Sequence, residues 1–146
     1  RPVNCSEGER ILLIRYLLDT NICIEIIRGR STLIFDRLRR CNRGEVGISA
    51  IVLAELKHGV EKSSRPDQNR IALDKFCAPL TVLAFDDAAA GAYGRIRADL
   101  ERDGQTIGAM DMLIAAHALA ENAVLVTNNE REFRRVEGLA VENWTQ

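Results

Sequence analysis

The sequence predicts an α/β domain, a mainly parallel β-sheet with helices on both faces. Three observations predict it. Short apolar runs of strand length alternate along the chain with longer stretches of helical spacing, the order that builds crossover units rather than hairpins. The chain has 146 residues, 47% of them apolar and 28% charged, which suits one globular domain with an ordinary core. No repeat, low-complexity stretch or linker divides the sequence, and no apolar run reaches the length of a membrane span.

The first ten residues, RPVNCSEGER, read as an N-terminal extension or tag remnant, so the domain is expected over 11–146. Ile11 to Leu18 is strongly apolar and ends at Asp19, which predicts a buried strand. Thr20 and Asn21 are good N-caps for a short helix from Ile22 to Arg28, and Gly29 stops it. Ser31 can cap a second helix to about Cys41, with Leu33, Ile34, Phe35 and Leu38 as its buried face. Val46–Ser49 is a short strand, and Ser49 caps a helix from Ala50 to about Glu61. Pro66 suits the first turn of the next helix, which runs to about Cys77. Leu80–Phe85 is a strand, and Asp86 or Asp87 caps a long helix to about Asp103, where Gly104 ends it. Gly108 opens a helix to about Glu121, Val124–Val126 is a strand, and Ala140–Val141 is a last edge strand.

This order has a consequence for chemistry. Ligands of an open parallel sheet bind beyond the carboxyl ends of its strands. Asp19 follows the first strand directly, and Glu55 is in the second turn of the helix that starts where the second strand ends. Thr127, Asn128 and Asn129 follow the strand Val124–Val126. A crossover helix runs antiparallel to the strands, so the helix feeding Val124 begins at the same edge, with Asp111 in its first turn. Three acids far apart in sequence are therefore expected on one rim. That last helix is apolar nearly all round, from Met110 to Leu119, and a carboxylate in such a helix is costly unless paired or bound to a cation. Each acid also has a plainer reading: an N-cap for Asp19, a surface charge for Glu55, a helix-dipole partner for Asp111. Their joint placement favours a hard divalent cation, Mg²⁺ or Mn²⁺, held by oxygen ligands.

YLLDTN around Asp19, SAIVLAE with Glu55, IGAMDMLIAAHAL with Asp111 and LVTNNEREFRRVEGLAVENW near the end together resemble PIN-domain ribonuclease toxins of the VapC type, over about Ile14 to Trp144. The resemblance implies a three-layer α/β/α sandwich and a Mg²⁺- or Mn²⁺-dependent endoribonuclease. It also implies a homodimer, and inhibition by a small cognate antitoxin. Asp19, Glu55 and Asp111 match the family's core acids. Many relatives carry Asp where this chain has Asn129, and Glu132, about one helical turn on, is the candidate for the missing carboxylate. Thr20 and Thr127 are candidates to orient metal-bound water, with a helix cap and a strand terminus as their plainer readings. The implied substrate is RNA, with structured RNA such as tRNA a candidate, cut to leave a 5′-phosphate and a 3′-hydroxyl.

Other features are weighed beside these. The net charge is −1, but Arg28 to Arg43 holds six arginines against one acid, Asp36, either a solvated face or a phosphate-facing stripe. Arg131, Arg134 and Arg135 form a smaller basic group. Cys5, Cys23, Cys41 and Cys77 form no ligand pair; Cys23, Cys41 and Cys77 read as small buried hydrophobes, which suits a reducing, cytoplasmic setting. His58 reads as solvated and His117 as structural, against an acid–base pair that would cleave RNA without metal. Trp144 and Phe133 read as packing anchors rather than base-stacking platforms. Two rival functions stay open: a phosphatase with Asp19 as nucleophile, though no second Asp follows two residues on, and a non-catalytic module that binds a partner or a structural cation.

Overall fold

The structure, a computed structural model, describes residues 13–146. The extension read over residues 1–10, with Cys5, and the expected strand residues Ile11 and Leu12 lie outside the described residues.

Five parallel strands form one sheet in the order β3-β2-β1-β4-β5: β1 (Tyr16–Leu18), β2 (Val46–Ser49), β3 (Thr81–Leu83), β4 (Val124–Val126) and β5 (Val141–Glu142). Strand β1 is central and fully buried. It starts later than the apolar run suggests, because Leu13 is 71% exposed and has left the sheet. The chain steps outward from β1 to β2 to β3, then returns across to β4 and β5. Parallel crossovers are right-handed, so reversing the direction of travel moves the helices to the other face of the sheet. The expected three layers result.

Before the reversal come α1 (Thr20–Arg28), α2 (Thr32–Arg39), α3 (Ala50–Glu61) and α4 (Pro66–Cys77). Helix α1 packs on α3 and α4. It is capped by Asp19 rather than by Thr20 or Asn21: the carboxylate accepts the Thr20 N–H at 2.8 Å, Thr20 is already helical, and Asn21 is exposed. Gly29 ends α1 at φ +66°, a left-handed conformation that costs glycine little. Ser31 caps α2 as expected, through the Ile34 N–H at 3.2 Å. The buried face of α2 is narrower than expected. Only Ile34 is fully enclosed and Leu38 half so, whereas Leu33 and Phe35 are 48% and 37% exposed. A helix of two turns presents one i, i+4 pair to the sheet.

After the reversal come α5 (Asp87–Arg102) and α6 (Ala109–Ala120), which pack on each other. Asp86 caps α5 through the Ala89 N–H. Ala89, Ala92, Ile96 and Leu100 form its buried stripe at helical spacing. Helix α6 buries Met112 and the run Ile114 to Ala118, but Met110 in its first turn is exposed. Strand β3 is shorter than the expected Leu80–Phe85, and as an edge strand it leaves Val82 exposed. A single turn unforeseen in the sequence, α7 (Glu130–Phe133), follows β4 and buries Phe133. Trp144 is buried edge-on against Tyr16 at 5.1 Å, its indole N–H donates to Glu142, and the Arg37 guanidinium lies over its ring. Trp144 and Phe133 are packing anchors, as read. Cys23 is fully buried, but Cys41 and Cys77 are only half-buried. Among the described residues no helix is long and apolar enough to cross a membrane.

Candidate active site

The sheet reverses its order between β1 and β4, and their carboxyl ends open the crevice where α/β sheets bind ligands. Asp19 leaves β1 there, and its N–H donates to Val126 O of β4 at 2.9 Å. Its side chain is buried, with each carboxylate oxygen holding one donor. Thr20 N–H gives to Oδ1 at 2.8 Å and the Thr127 hydroxyl to Oδ2 at 2.7 Å. Burial pushes the Asp19 carboxyl above its usual pKa; the Thr127 and Thr20 hydrogen bonds pull it back, and nearby Glu55 adds to the rise.

Two chains of hydrogen bonds extend from Asp19. On one side the Thr20 hydroxyl donates to Glu55 Oε1 at 2.5 Å, joining the start of α1 to α3. On the other, Thr127 Oγ1 accepts the Asn129 N–H at 3.0 Å, and Asn129 Nδ2 donates to Glu132 Oε2 at 3.3 Å. Strand β5 supports this side, because the Thr127 N–H donates to Glu142 O. Thr20 and Thr127 thus act directly on carboxylates.

Asp111 completes the rim from the first turn of α6, half-buried. Its pKa is raised to about 6, first by burial and then by the charges of Asp19, Glu132 and Glu55. That coupling brings all four expected acids into one electrostatic neighbourhood. Among the described residues no Lys or Arg forms an ion pair with any of the four. A concentration of carboxylates without a protein counter-charge fits a divalent cation. Among the described residues no three acids are gathered into a ready-made ligand cluster.

Comparison with known proteins places the chain in a family. The PIN domain family matches residues 16–139. Ribonuclease VapC2 of Rickettsia felis is 45% identical over 130 residues, 88% of this chain and 97% of that protein. The tRNA(fMet)-specific endonuclease VapC of Shigella flexneri is 41% identical over 133 residues, 91% of this chain and all of that protein. The chain is a PIN-domain protein of the VapC type. The crystal structure of VapBC2 from Rickettsia felis, bound to a DNA fragment from their promoter, superposes with a TM-score of 0.85 at 43% identity, covering 90% of this chain and 99% of that one. The VapC assignment agrees with the three-layer architecture.

The PIN fold does not gather every residue singled out in the sequence. The Arg28–Arg43 stretch is no single stripe. Arg37 pairs with Glu142 at 2.7 Å and Arg39 with Asp36 at 2.6 Å, which leaves neither as an unmatched charge. Arg28 borders a groove beside Glu55, whereas Arg40 lines a pocket with Arg15 and Glu45 near the opposite edge of the sheet. His58 is exposed, as expected. His117 is buried and bonded to Ser49, a contact that sequence reading missed. The available signal was that a histidine in an apolar helix needs a polar partner, and a strand-end serine provides one.

Proposed function

We propose that this chain is a divalent-metal-dependent endoribonuclease, the toxin of a toxin–antitoxin pair, held inactive by a cognate antitoxin. The observation that carries the chemistry is the four-acid rim of Asp19, Glu55, Asp111 and Glu132 without a protein counter-charge. Asp19 and Asp111 would hold Mg²⁺ or Mn²⁺, with Glu55 as a further ligand or as the group that orients the attacking water. When bound, the cation supplies an activated water and stabilises charge building on the scissile phosphate. Thr127 and Thr20 hold Asp19 in place and favour its ionised form, against the effect of burial, by donating to it. Thr20 also fixes Glu55. Glu132, aligned by Asn129, adds the fourth negative charge where Asn129 has none.

The RNA backbone must approach a negative rim. Exposed Arg28, beside Glu55, and exposed Arg131, in the same turn as Glu132, are the basic groups placed to offset that repulsion. The name of the Shigella flexneri relative makes tRNA(fMet) the first substrate to try. The test is cleavage of a defined RNA by purified, antitoxin-free protein. Cleavage should vanish in EDTA and return with Mg²⁺ or Mn²⁺, leaving 5′-phosphate ends. Full activity in metal-stripped protein would overturn the mechanism, and metal binding without cleavage would favour the non-catalytic reading.

A further inference from the structure

Ser49 ends β2 and opens α3, the helix of Glu55; His117 lies on α6, the helix of Asp111. The His117 ring is fully enclosed, 0% exposed, with Phe85 edge-on at 5.5 Å. Its Nδ1 is 2.7 Å from Ser49 Oγ, and that same Oγ accepts the Ile51 N–H at 3.0 Å to cap α3. Among the described residues this is the one side-chain hydrogen bond between α6 and the start of α3. Nε2 has no hydrogen-bond partner among the described residues and faces Glu121 Oε2 at 4.0 Å.

The Glu121 carboxylate near Nε2 favours one tautomer of the ring. Ser49 Oγ accepts from Ile51 and has its own proton to donate to Nδ1. Nε2 then carries the hydrogen, directed at the Glu121 carboxylate. The other tautomer would set a lone pair of Nε2 against that carboxylate. Burial lowers the His117 pKa and keeps the ring neutral, against the opposing charges of Glu121 and Asp86.

We propose that His117 is a positioning residue for the acid rim: through Ser49 it locks the first turn of α3 to α6, and so fixes Glu55 relative to Asp111. Apolar contacts between helices tolerate sliding, whereas a buried hydrogen bond onto a capping residue sets one register. The inference rests on the metal-dependent reading above, but its test separates the two.

Three variants are compared: His117→Leu, which removes the acceptor; His117→Asn, which restores one near the position of Nδ1; and Ser49→Ala. With His117→Leu, Mn²⁺ affinity measured without RNA and kcat should each fall about tenfold, while KM for RNA stays within about twofold. His117→Asn should recover most of both losses. In the metal-free wild type, ¹⁵N spectra should show Nε2 protonated and Nδ1 not. The ¹³C carboxyl signals of Glu55 and Asp111 should move in His117→Leu and return in His117→Asn. A folded His117→Leu with wild-type Mn²⁺ affinity, kcat and carboxyl signals would overturn the proposal, as would His117→Asn behaving no better than Leu. If His117→Leu does not fold, Ser49→Ala decides by the same readouts. If the wild type neither binds Mn²⁺ nor cleaves RNA, the metal-dependent reading fails, and the carboxyl signals still decide the link.

Discussion

Asp19 and Asp111 face one rim but are held in opposite ways. Asp19 is buried, and both of its oxygens carry protein donors, from Thr20 and Thr127. Asp111 is half-buried, has no side-chain hydrogen bond among the described residues, and feels three other carboxylates. The first is an anion prepared by the fold. The second is an anion left for something else to neutralise. A site built this way holds its shape on one side and depends on its cation on the other.

The largest effect should come from neutralising each acid in turn. Asp19→Asn and Asp111→Asn should each lower RNA cleavage by about 10³-fold or more, since the amide keeps the shape and loses the charge. Their effects on folding should differ. Asp111→Asn relieves repulsion, and at a half-exposed site solvent screens most of it, leaving about 1 kcal/mol and a rise of roughly 2–4 °C in the Tm of metal-free protein. Asp19→Asn should give no such rise, because its amide turns a donor toward Thr127, whose hydroxyl proton then loses its acceptor. Equal stabilisation by both would erase the contrast.

A smaller effect tests which neighbour loads Asp111. Glu132→Gln should weaken Mn²⁺ binding by about tenfold, the low end of what a metal site loses with a supporting group. Asn129→Ala should do less, since it only frees Glu132 from one long hydrogen bond. Calorimetric titration of the two variants distinguishes them, and a larger loss in Asn129→Ala would move the fourth position from Glu132 to Asn129.

The smallest effect is in pH. Folded Asp111 has a pKa of about 6, against about 3.9 in an unfolded chain. Between these values the folded protein binds more protons, so this group's contribution to stability falls as pH rises through the window. Thermal melts of EDTA-treated wild type and Asp111→Asn should therefore draw together as pH drops from 7 to 5. A gap independent of pH would mean that the carboxyl is not perturbed. Saturating Mn²⁺ should reverse the order of the two proteins.

The acids were legible because strand ends and crossover direction fix where a residue falls along the sheet axis. Asp19 needs only the end of an apolar run, and Asp111 only the polarity of the helix that feeds β4. What periodicity does not encode is which donor meets which acceptor. Asp19 itself caps α1, one of its two readings in the sequence, whereas propensity also offered Thr20 and Asn21; only Asp19 lies between the end of strand β1 and the start of the helix, which leaves no room for a later cap. The turn Glu130–Phe133 was missed because four largely polar residues form no amphipathic pattern. The arginine stretch looked like one surface because the sequence shows charges without their partners. Glu142, 105 residues away, takes Arg37, while Arg40 is turned toward the far edge.

The short stretch from Ala140 to Trp144 connects these observations. Its backbone is bound to β4 through Leu125 N–H to Ala140 O and Thr127 N–H to Glu142 O. Trp144 and Arg37 clasp its side chains. Segments held at a sheet edge are those that peel off in sub-global opening events. Each such event would strip the Thr127 amide of its acceptor and loosen the hydroxyl that holds Asp19. The exchange rate of that single amide therefore serves as a gauge of how often the nuclease rim comes undone from its supported side.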